Sequence, residues 1–443
     1  MAKKYKNSMY NYYFLGENKL NVYNSLTGLK CSIHDPSLIS QINQLKEGTV
    51  DEECVDPRLI ETRIAVEEGV NEAVVADDVI ATLLSNNRNK LRLIILPTRE
   101  CNFRCKYCYE TKRHINMSKE TTENLINATK KYLDDNKSIT YLQLEWFGGE
   151  PMLCYDTIVH ISSHLKAHCE NNNITFNMSM TTNGYLLTKE RAEKLLSLNL
   201  FSYQITVDGC AEYHDNLRIL KNGGPTWQTI YNNLLNIKQI ENDDLSITIR
   251  INYHADMLDD LPQFIEMIKK DFDERFVVYA IRINPTPEFE KEFIPVDSEA
   301  EAYTLEYIID LLKQNNLSIV RYMTNLTPTA SACYARMNYA FVIDTDGTLR
   351  KCTEFLDDDK WNNIGTIQNG TFEIDYYKHM QWLHPNVSHL LERKCYECKD
   401  YPNCCGGLCP AQWLITKQVV CNPIRSFNKL FLEQYIYEKN HKK

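Results

Sequence analysis

Hydrophobic and polar positions keep changing their period along this chain, and from about Leu91 they alternate regularly between two patterns. Leu91–Leu96 is a short unbroken apolar run ending at Pro97, the pattern of a buried parallel strand. Ser118 then reads as the N-cap of a helix carrying Leu125, Ile126, Thr129, Tyr132 and Leu133 on one face. The same succession recurs. Strands are expected at Ile139–Phe147, Ile174–Thr182, Phe201–Val207, Leu245–Asn252 and Phe276–Asn284, and helices at Tyr155–Asn171, Thr188–Leu198, Trp227–Ile240, Leu258–Phe272 and Asp297–Asn315. Such alternation predicts a parallel sheet wrapped by helices, with chemistry at the carboxyl ends of the strands. Six βα units fall short of the eight in a closed barrel, so the expected fold is α/β, a partial (β/α)6 barrel.

On either side the texture changes, which divides the chain into residues 1–90, 91–320 and 321–443. The first segment opens with hairpin-like alternation, Tyr10–Phe14 and Leu20–Tyr23 joined across Gly16-Glu17-Asn18, and continues as helical, acidic sequence. It reads as a small α+β module. The last segment is loop-rich and cysteine-rich, and ends in an expected amphipathic helix over Ser426–Lys443.

Composition narrows the partners. A net charge of −10 without a basic block gives nothing to track a phosphate backbone, so no nucleic acid is expected. No apolar run approaches ~18 residues, so no membrane span is expected. The basic N-terminus lacks a following apolar segment, which points to a cytoplasmic protein. Sixteen cysteines are then the informative number, because the cytosol keeps thiols reduced and leaves metal or cluster ligation, or catalysis, as their use. Three fall within Cys101–Cys108 and eight between Cys333 and Cys421. Cys31, Cys54, Cys154, Cys169 and Cys210 are scattered and read as small buried hydrophobes.

Cys101, Cys105 and Cys108 follow the first strand directly. Three thiolates at this spacing can hold three corners of a [4Fe–4S] cube and leave one iron open for chemistry. The alternative is a zinc site lacking its fourth ligand, but no histidine lies close enough in sequence to complete a knuckle. The second strand ends in Phe147-Gly148-Gly149-Glu150-Pro151, the third in Thr181-Thr182-Asn183-Gly184, and the fourth in Thr206-Val207-Asp208-Gly209, with His214, Asp215 and Arg218 after it. Cys-Asn-Phe-Arg-Cys-Lys-Tyr-Cys-Tyr at 101–109 resembles the signature of the radical S-adenosylmethionine (SAM) superfamily. The resemblance implies that the three cysteines hold the cluster and that SAM chelates its open iron. It also implies SAM contacts from Gly148, Gly149, Glu150, Thr182, Asn183, Thr206 and Arg218, the glutamate suiting the cofactor's ammonium and the arginine its carboxylate.

Beyond the barrel the spacing is Cys333-x18-Cys352, then Cys395-x2-Cys398, Cys404-Cys405, Cys409 and Cys421. Two cysteine pairs could make a zinc ribbon, but this many thiols suits two clusters better. The layout resembles the SPASM extension, which implies two auxiliary [4Fe–4S] clusters. By position Cys333, Cys352 and Cys409 would hold the nearer one. Cys395, Cys398, Cys421 and one of Cys404 or Cys405 would hold the farther one. Asp346-Gly347, shortly before Cys352, is a hairpin signal.

The resemblance implies a radical SAM maturase acting on a ribosomally made precursor peptide, forming a thioether or carbon–carbon cross-link. Its partners would be that peptide and a low-potential electron donor such as flavodoxin or ferredoxin. Residues 1–90 would either grip a leader by strand addition or cap the barrel. One alternative is a sulfatase-maturing enzyme. Those enzymes carry an aspartate immediately after the second extension cysteine, where this chain has Thr353, then Glu354. They also begin almost at the cluster motif. Another alternative is an iron–sulfur electron carrier without radical chemistry, which would need no SAM pocket.

Overall fold

A computed structural model of the chain describes residues 3–111, 113–283, 300–318, 326, 333–383, 387–407, 409–417, 421, 428–429, 432–433 and 435–436. Apart from the last three pairs, the helix expected over Ser426–Lys443 lies outside the described residues. The chain forms two compact units, one comprising Met1–Asn87, Tyr322–Met337 and Gln381–Lys443, the other Arg88–Arg321 and Asn338–Met380.

The first unit contains strands β1 (Lys4–Asn7), β2 (Asn11–Gly16), β3 (Lys19–Asn24), β4 (Lys30–Ile33), β5 (Val50–Asp51) and β6 (Ala65–Glu67), with helices α1 (Pro36–Glu47), α2 (Pro57–Glu61) and α3 (Glu72–Asn86). The expected hairpin is present as β2–β3, its turn taken by Asn18 at φ 53°, a left-handed position that asparagine tolerates. The strands make two three-stranded antiparallel sheets, β5-β1-β6 and β2-β3-β4. Leu20, Val22 and Ile33 bury against Leu38, Ile42 and Leu45 of α1, whose start is capped by Asp35. A second core mixes distant sequence, with Tyr10, Ala76 and Ile80 packed with Leu390, Tyr401 and Cys405.

The second unit is built on β7 (Lys90–Ile95), β8 (Tyr141–Trp146), β9 (Thr175–Thr182), β10 (Leu200–Thr206), β11 (Ser246–Tyr253) and β12 (Phe276–Arg282). All six pair in parallel and in chain order, as a partial barrel requires. The intervening helices are α4 (Lys119–Asp135), α5 (Tyr155–Asn171), α6 (Lys189–Leu196), α7 (Ala211–Leu217), α8 (Trp227–Lys238), α9 (Leu261–Asp271) and α10 (Glu301–Gln314). Ser118 caps α4 through Thr121 N at 3.0 Å, as its sequence position suggests. The last expected strand and helix are shorter than drawn, and positions 284 and 297–299 lie outside the described residues. The short helix α7 was not expected, since its seven residues are too few for the 3.6-residue period to register.

The segment read from the sequence as one extension, 321–443, is divided between the two units, with 338–380 joined to the barrel's sheet. Strands β13 (Ala340–Ile343), β14 (Thr348–Arg350), β15 (Asn363–Gln368) and β16 (Thr371–Ile374) continue it as a meander, with β13 parallel to β7 from Ala340↔Arg92 to Ile343↔Ile95. The open β7 edge is thereby paired, so residues 338–380 belong to the barrel's unit. The β13–β14 turn carries Gly347 at φ 86°, as the Asp-Gly signal implies.

Side chains alternate across the barrel sheet. Leu142, Leu144, Trp146, Phe176, Met178 and Met180 are buried on one face. Gln143, Glu145, Asn177, Ser179 and Thr181 alternate with them and are only half-buried on the other. The strands thus present a polar face opposite the helix-packed one.

Candidate active site

The cysteine loop leaves β7 and is stapled to the segment after α7 by backbone hydrogen bonds, Arg104 N to Ile219 O (2.8 Å), Lys106 N to Leu217 O (3.0 Å) and Lys221 N to Asn102 O (2.7 Å). Cys101, Cys105 and Cys108 all border one cavity of about 480 Å³ at the carboxyl ends of the strands. Among the described residues, no three His, Cys, Asp or Glu side chains are gathered tightly enough for a single metal ion. The stapling carries Arg218 to the cavity wall together with the loop. Two residues before Cys101, Arg99 donates to Asp344 Oδ1 at 2.9 Å and to Asp357 Oδ1 at 2.6 Å. Arg350 Nε reaches Asp344 Oδ2 at 2.8 Å. Burial works against the Asp344 charge, but the two guanidinium groups outweigh it and hold its pKa below the ordinary value. This triad fastens the entry to the cysteine loop onto the β13–β14 hairpin.

Gly148, Gly149, Thr182, Asn183, Thr206 and Arg218, all expected from the sequence, line the same cavity. The glycines serve backbone contact more than ligand approach. A Cβ at Gly148, where φ is 113°, would lie 2.4 Å from Thr98 O, and one at Gly149 would lie 2.2 Å from Glu100 O. The turn after β8 therefore presses directly on the start of the cysteine loop, where Glu150 N donates to Glu100 O at 2.9 Å.

Glu150 is placed differently from expectation. It is fully buried beneath the cavity and accepts from Thr182 Oγ1 (2.7 Å), Asn183 N (2.7 Å) and Met152 N (2.9 Å). Burial raises its pKa, against the pull of these donors. Its carboxylate thus fixes the end of β9 and does not itself line the cavity.

Sequence reading did not join Tyr107, Asp208 and Asn252 to Arg218 as one polar cluster at this cavity. Tyr107, inside the cysteine motif, donates its hydroxyl to Asp208 Oδ2 and accepts from Arg218 Nη1 (2.7 Å) and Asn252 Nδ2 (3.0 Å). Asp208 also accepts from Asn252 N at 2.7 Å. Burial raises the Asp208 pKa, opposed by Arg218 and the hydrogen bonds. His214 accepts from Asp208 N through Nδ1 (3.2 Å) and meets Thr226 Oγ1 through Nε2 (3.0 Å). Burial and the Arg218 charge keep it neutral. The alternation Thr248, Arg250, Asn252 on β11 was the available signal for this cluster.

Arg218 provides the test of fit. Its Nε lies 4.0 Å from Asp208 Oδ2, too far for a hydrogen bond, and is a buried donor without an acceptor among the described residues. A carboxylate in the cavity would complete it, and the three thiols share that cavity, so the residues fit a cluster with an amino-acid-bearing ligand.

The first unit contains a separate cavity of about 530 Å³ bordered by Cys395, Cys398, Cys404 and Cys421. Cys405 does not border it. Its thiol lies 3.7 Å from Pro402 O within the second core, where burial pushes its pKa up to about 11. Cys405 instead supplies the left-handed turn, at φ 53°, that ends the helix Tyr401–Cys404. Arg393 Nη2 approaches Cys421 Sγ at 2.9 Å. Of the remaining cysteines, Cys333 and Cys409 belong to the first unit. Cys352 belongs to the second, its backbone held by Asn362.

Residues 95–268 match the family model described as Radical SAM superfamily. An uncharacterized protein of Methanocaldococcus jannaschii is 33% identical over 135 residues, covering 30% of this chain and 44% of that protein. A cysteine-type anaerobic sulfatase-maturating enzyme of Clostridium novyi is 25% identical over 345 residues, covering 72% of this chain and 87% of that enzyme. A solved structure of the protein anSMEcpe with bound AdoMet and a peptide shares the fold at TM-score 0.58 and 20% identity, covering 79% of this chain and 97% of that one. The cysteine loop, the strand ends and the family match fall on the same stretch of sequence, and this chain carries a radical SAM superfamily domain.

Proposed function

We propose that this chain is a radical SAM enzyme that modifies a ribosomally made precursor peptide by forming a thioether or carbon–carbon cross-link. The observation that carries the reading is the shared cavity, where three thiols face an arginine with an unfilled buried donor. When bound, cluster and SAM together supply a 5′-deoxyadenosyl radical that takes a hydrogen atom from the substrate. Cys101, Cys105 and Cys108 would hold the cluster. Arg218, oriented by Tyr107, would take the SAM carboxylate, and Thr182, Asn183 and Thr206 would line the rest of the cofactor's bed. Glu150 holds that bed in shape from below. Cys395, Cys398, Cys404 and Cys421, which border one cavity, would hold the farther auxiliary cluster. A low-potential flavodoxin or ferredoxin would deliver electrons.

A second reading, sulfatase maturation, draws on the extent of the similarity to the Clostridium novyi enzyme and on one geometric fact. Thr353 occupies the place of the expected aspartate and stays outside the main cavity, whereas Glu354 borders it and offers a carboxylate. Reduced enzyme incubated with SAM separates these readings. Release of 5′-deoxyadenosine is expected in either case, and its absence would sink both. With a peptide encoded beside the gene, loss of two hydrogens without a new carbonyl supports cross-linking. A hydrazine-reactive aldehyde at cysteine or serine supports the second reading.

A further inference from the structure

The cations of the barrel's polar face and cavity are mostly matched. Arg92 pairs with Glu145 at 2.7 Å across β7 and β8, and Arg282 pairs with Glu301 at 3.3 Å. Arg218 sits beside Asp208 in the Tyr107 cluster. Arg250 differs. It stands on β11 opposite Thr206 and borders the cavity, and among the described residues it has no ion-pair partner. Among the described residues its guanidinium makes one hydrogen bond, from Nε to Asn252 Oδ1 at 2.9 Å. The Asn252 amide is itself fixed, because its Nδ2 donates to both Tyr107 OH and Asp208 Oδ1, at 3.0 and 3.1 Å. That fixes the guanidinium orientation while leaving its two terminal nitrogens for something in the cavity.

We propose that Arg250 anchors an acidic side chain of the substrate, an aspartate or glutamate next to the residue that loses hydrogen. The proposal rests on the peptide-modifying reading above. A planar guanidinium held at Nε offers a two-pronged donor edge that matches one carboxylate. One unmatched cation suits a monoanion, and Glu354, which borders the same cavity, would oppose a more highly charged anion. A carboxylate could come from SAM as well as from the peptide. Arg218 is stapled to the cysteine loop with its own unfilled donor, so it is the residue positioned for the cofactor, and Arg250 is left for the substrate.

The test uses reconstituted enzyme loaded with SAM and synthetic pentapeptide pools, acetylated and amidated at their ends. The outer positions are random and the centre is Glu, Asp, Gln or Asn. Peptides retained by the enzyme are quantified by mass spectrometry, and SAM affinity is measured on the same samples by equilibrium dialysis. Wild type should retain the acidic pools about tenfold over the amide pools. Arg250→Gln should abolish that preference, Arg250→Lys should keep part of it, and the loss should fall on peptide retention and not on SAM. Equal retention of acidic and amide pools by wild type would overturn the assignment. A tenfold or greater loss of SAM affinity in Arg250→Gln would also overturn it, giving the residue to the cofactor's carboxylate. Failure of the functional reading is distinguishable, since it appears as wild-type enzyme that releases no 5′-deoxyadenosine, whatever the pools do.

Discussion

Removing the Glu150 carboxylate takes the acceptor from Thr182 Oγ1, Asn183 N and Met152 N at once, all in a fully buried setting. Unsatisfied buried donors are costly, so Glu150→Ala should destabilise the protein by about 3 kcal/mol, read as a shifted denaturant midpoint. Arg218→Ala works on a different quantity. It should lower SAM affinity roughly ten- to a hundredfold while iron content stays at the wild-type value. Full SAM affinity in that variant would remove Arg218 from the cofactor's bed. The cysteine pair divides in the same way. Cys404→Ala should lose the spectroscopic signature of the farther cluster, whereas Cys405→Ala should keep it, because only Cys404 borders the cavity with Cys395, Cys398 and Cys421. Spacing alone left Cys404 and Cys405 equivalent, since each preserves one of the two flanking intervals. What separates them is a helix end that turns the Cys405 thiol into the core, and adjacent positions in a sequence carry no record of that.

At the scale of elements, what was legible was what repeats. The six strands and their helices announced themselves through period, and the ends of β7 to β10 through glycines and short polar runs. Three features stayed hidden. The β11 wall was hidden because Arg250 and Asn252 read as ordinary alternation until neighbouring strands supply their partners. The parallel pairing of β13 with β7 was hidden because a four-residue strand far along the chain says nothing about which edge it fills. Helix α7 was missed for its length, yet it carries His214, whose neutral ring joins Asp208 to Thr226. The His214 pKa lies well below its ordinary value of 6.5, chiefly through burial and then through Arg218. His379 is pushed down to about 3, by burial and then by Lys351. Both rings are favoured neutral when folded. The stability they contribute is therefore complete above about pH 6.5 and is lost as pH falls below it toward the folded values. The thermal midpoint should drop between about pH 7 and pH 5, and His214→Gln should flatten part of that slope. A midpoint independent of pH over this interval would contradict the burial of these rings as neutral groups.

For the whole molecule, the composite core of the first unit changes what the N-terminal segment is for. Sequence texture separated residues 1–90 from the last cysteines by more than two hundred positions, but Tyr10, Ala76 and Ile80 share a core with Leu390, Tyr401 and Cys405. Polar contacts repeat the connection, with Tyr12 OH donating to Asp400 Oδ1 at 2.7 Å and Lys399 Nζ to Asn11 O at 3.0 Å. Tyr12 also borders the cavity of Cys395, Cys398, Cys404 and Cys421. A segment built in this way supports the cavity proposed for the farther cluster, whether or not it also grips a leader. Deleting residues 1–85 would expose Leu390 and Tyr401 and withdraw one wall of that site. The expected product keeps the barrel cluster and loses the farther one, a fall of about four irons per chain, with the Cys101, Cys105 and Cys108 cluster still visible by electron paramagnetic resonance. Leader recognition then has to be tested with the segment in place, by charge substitutions on the exposed edges of the β2-β3-β4 sheet. If instead the truncated protein retained its full iron content, the shared core would not be what holds the farther site, and the N-terminal segment would be free to act as a recognition module alone.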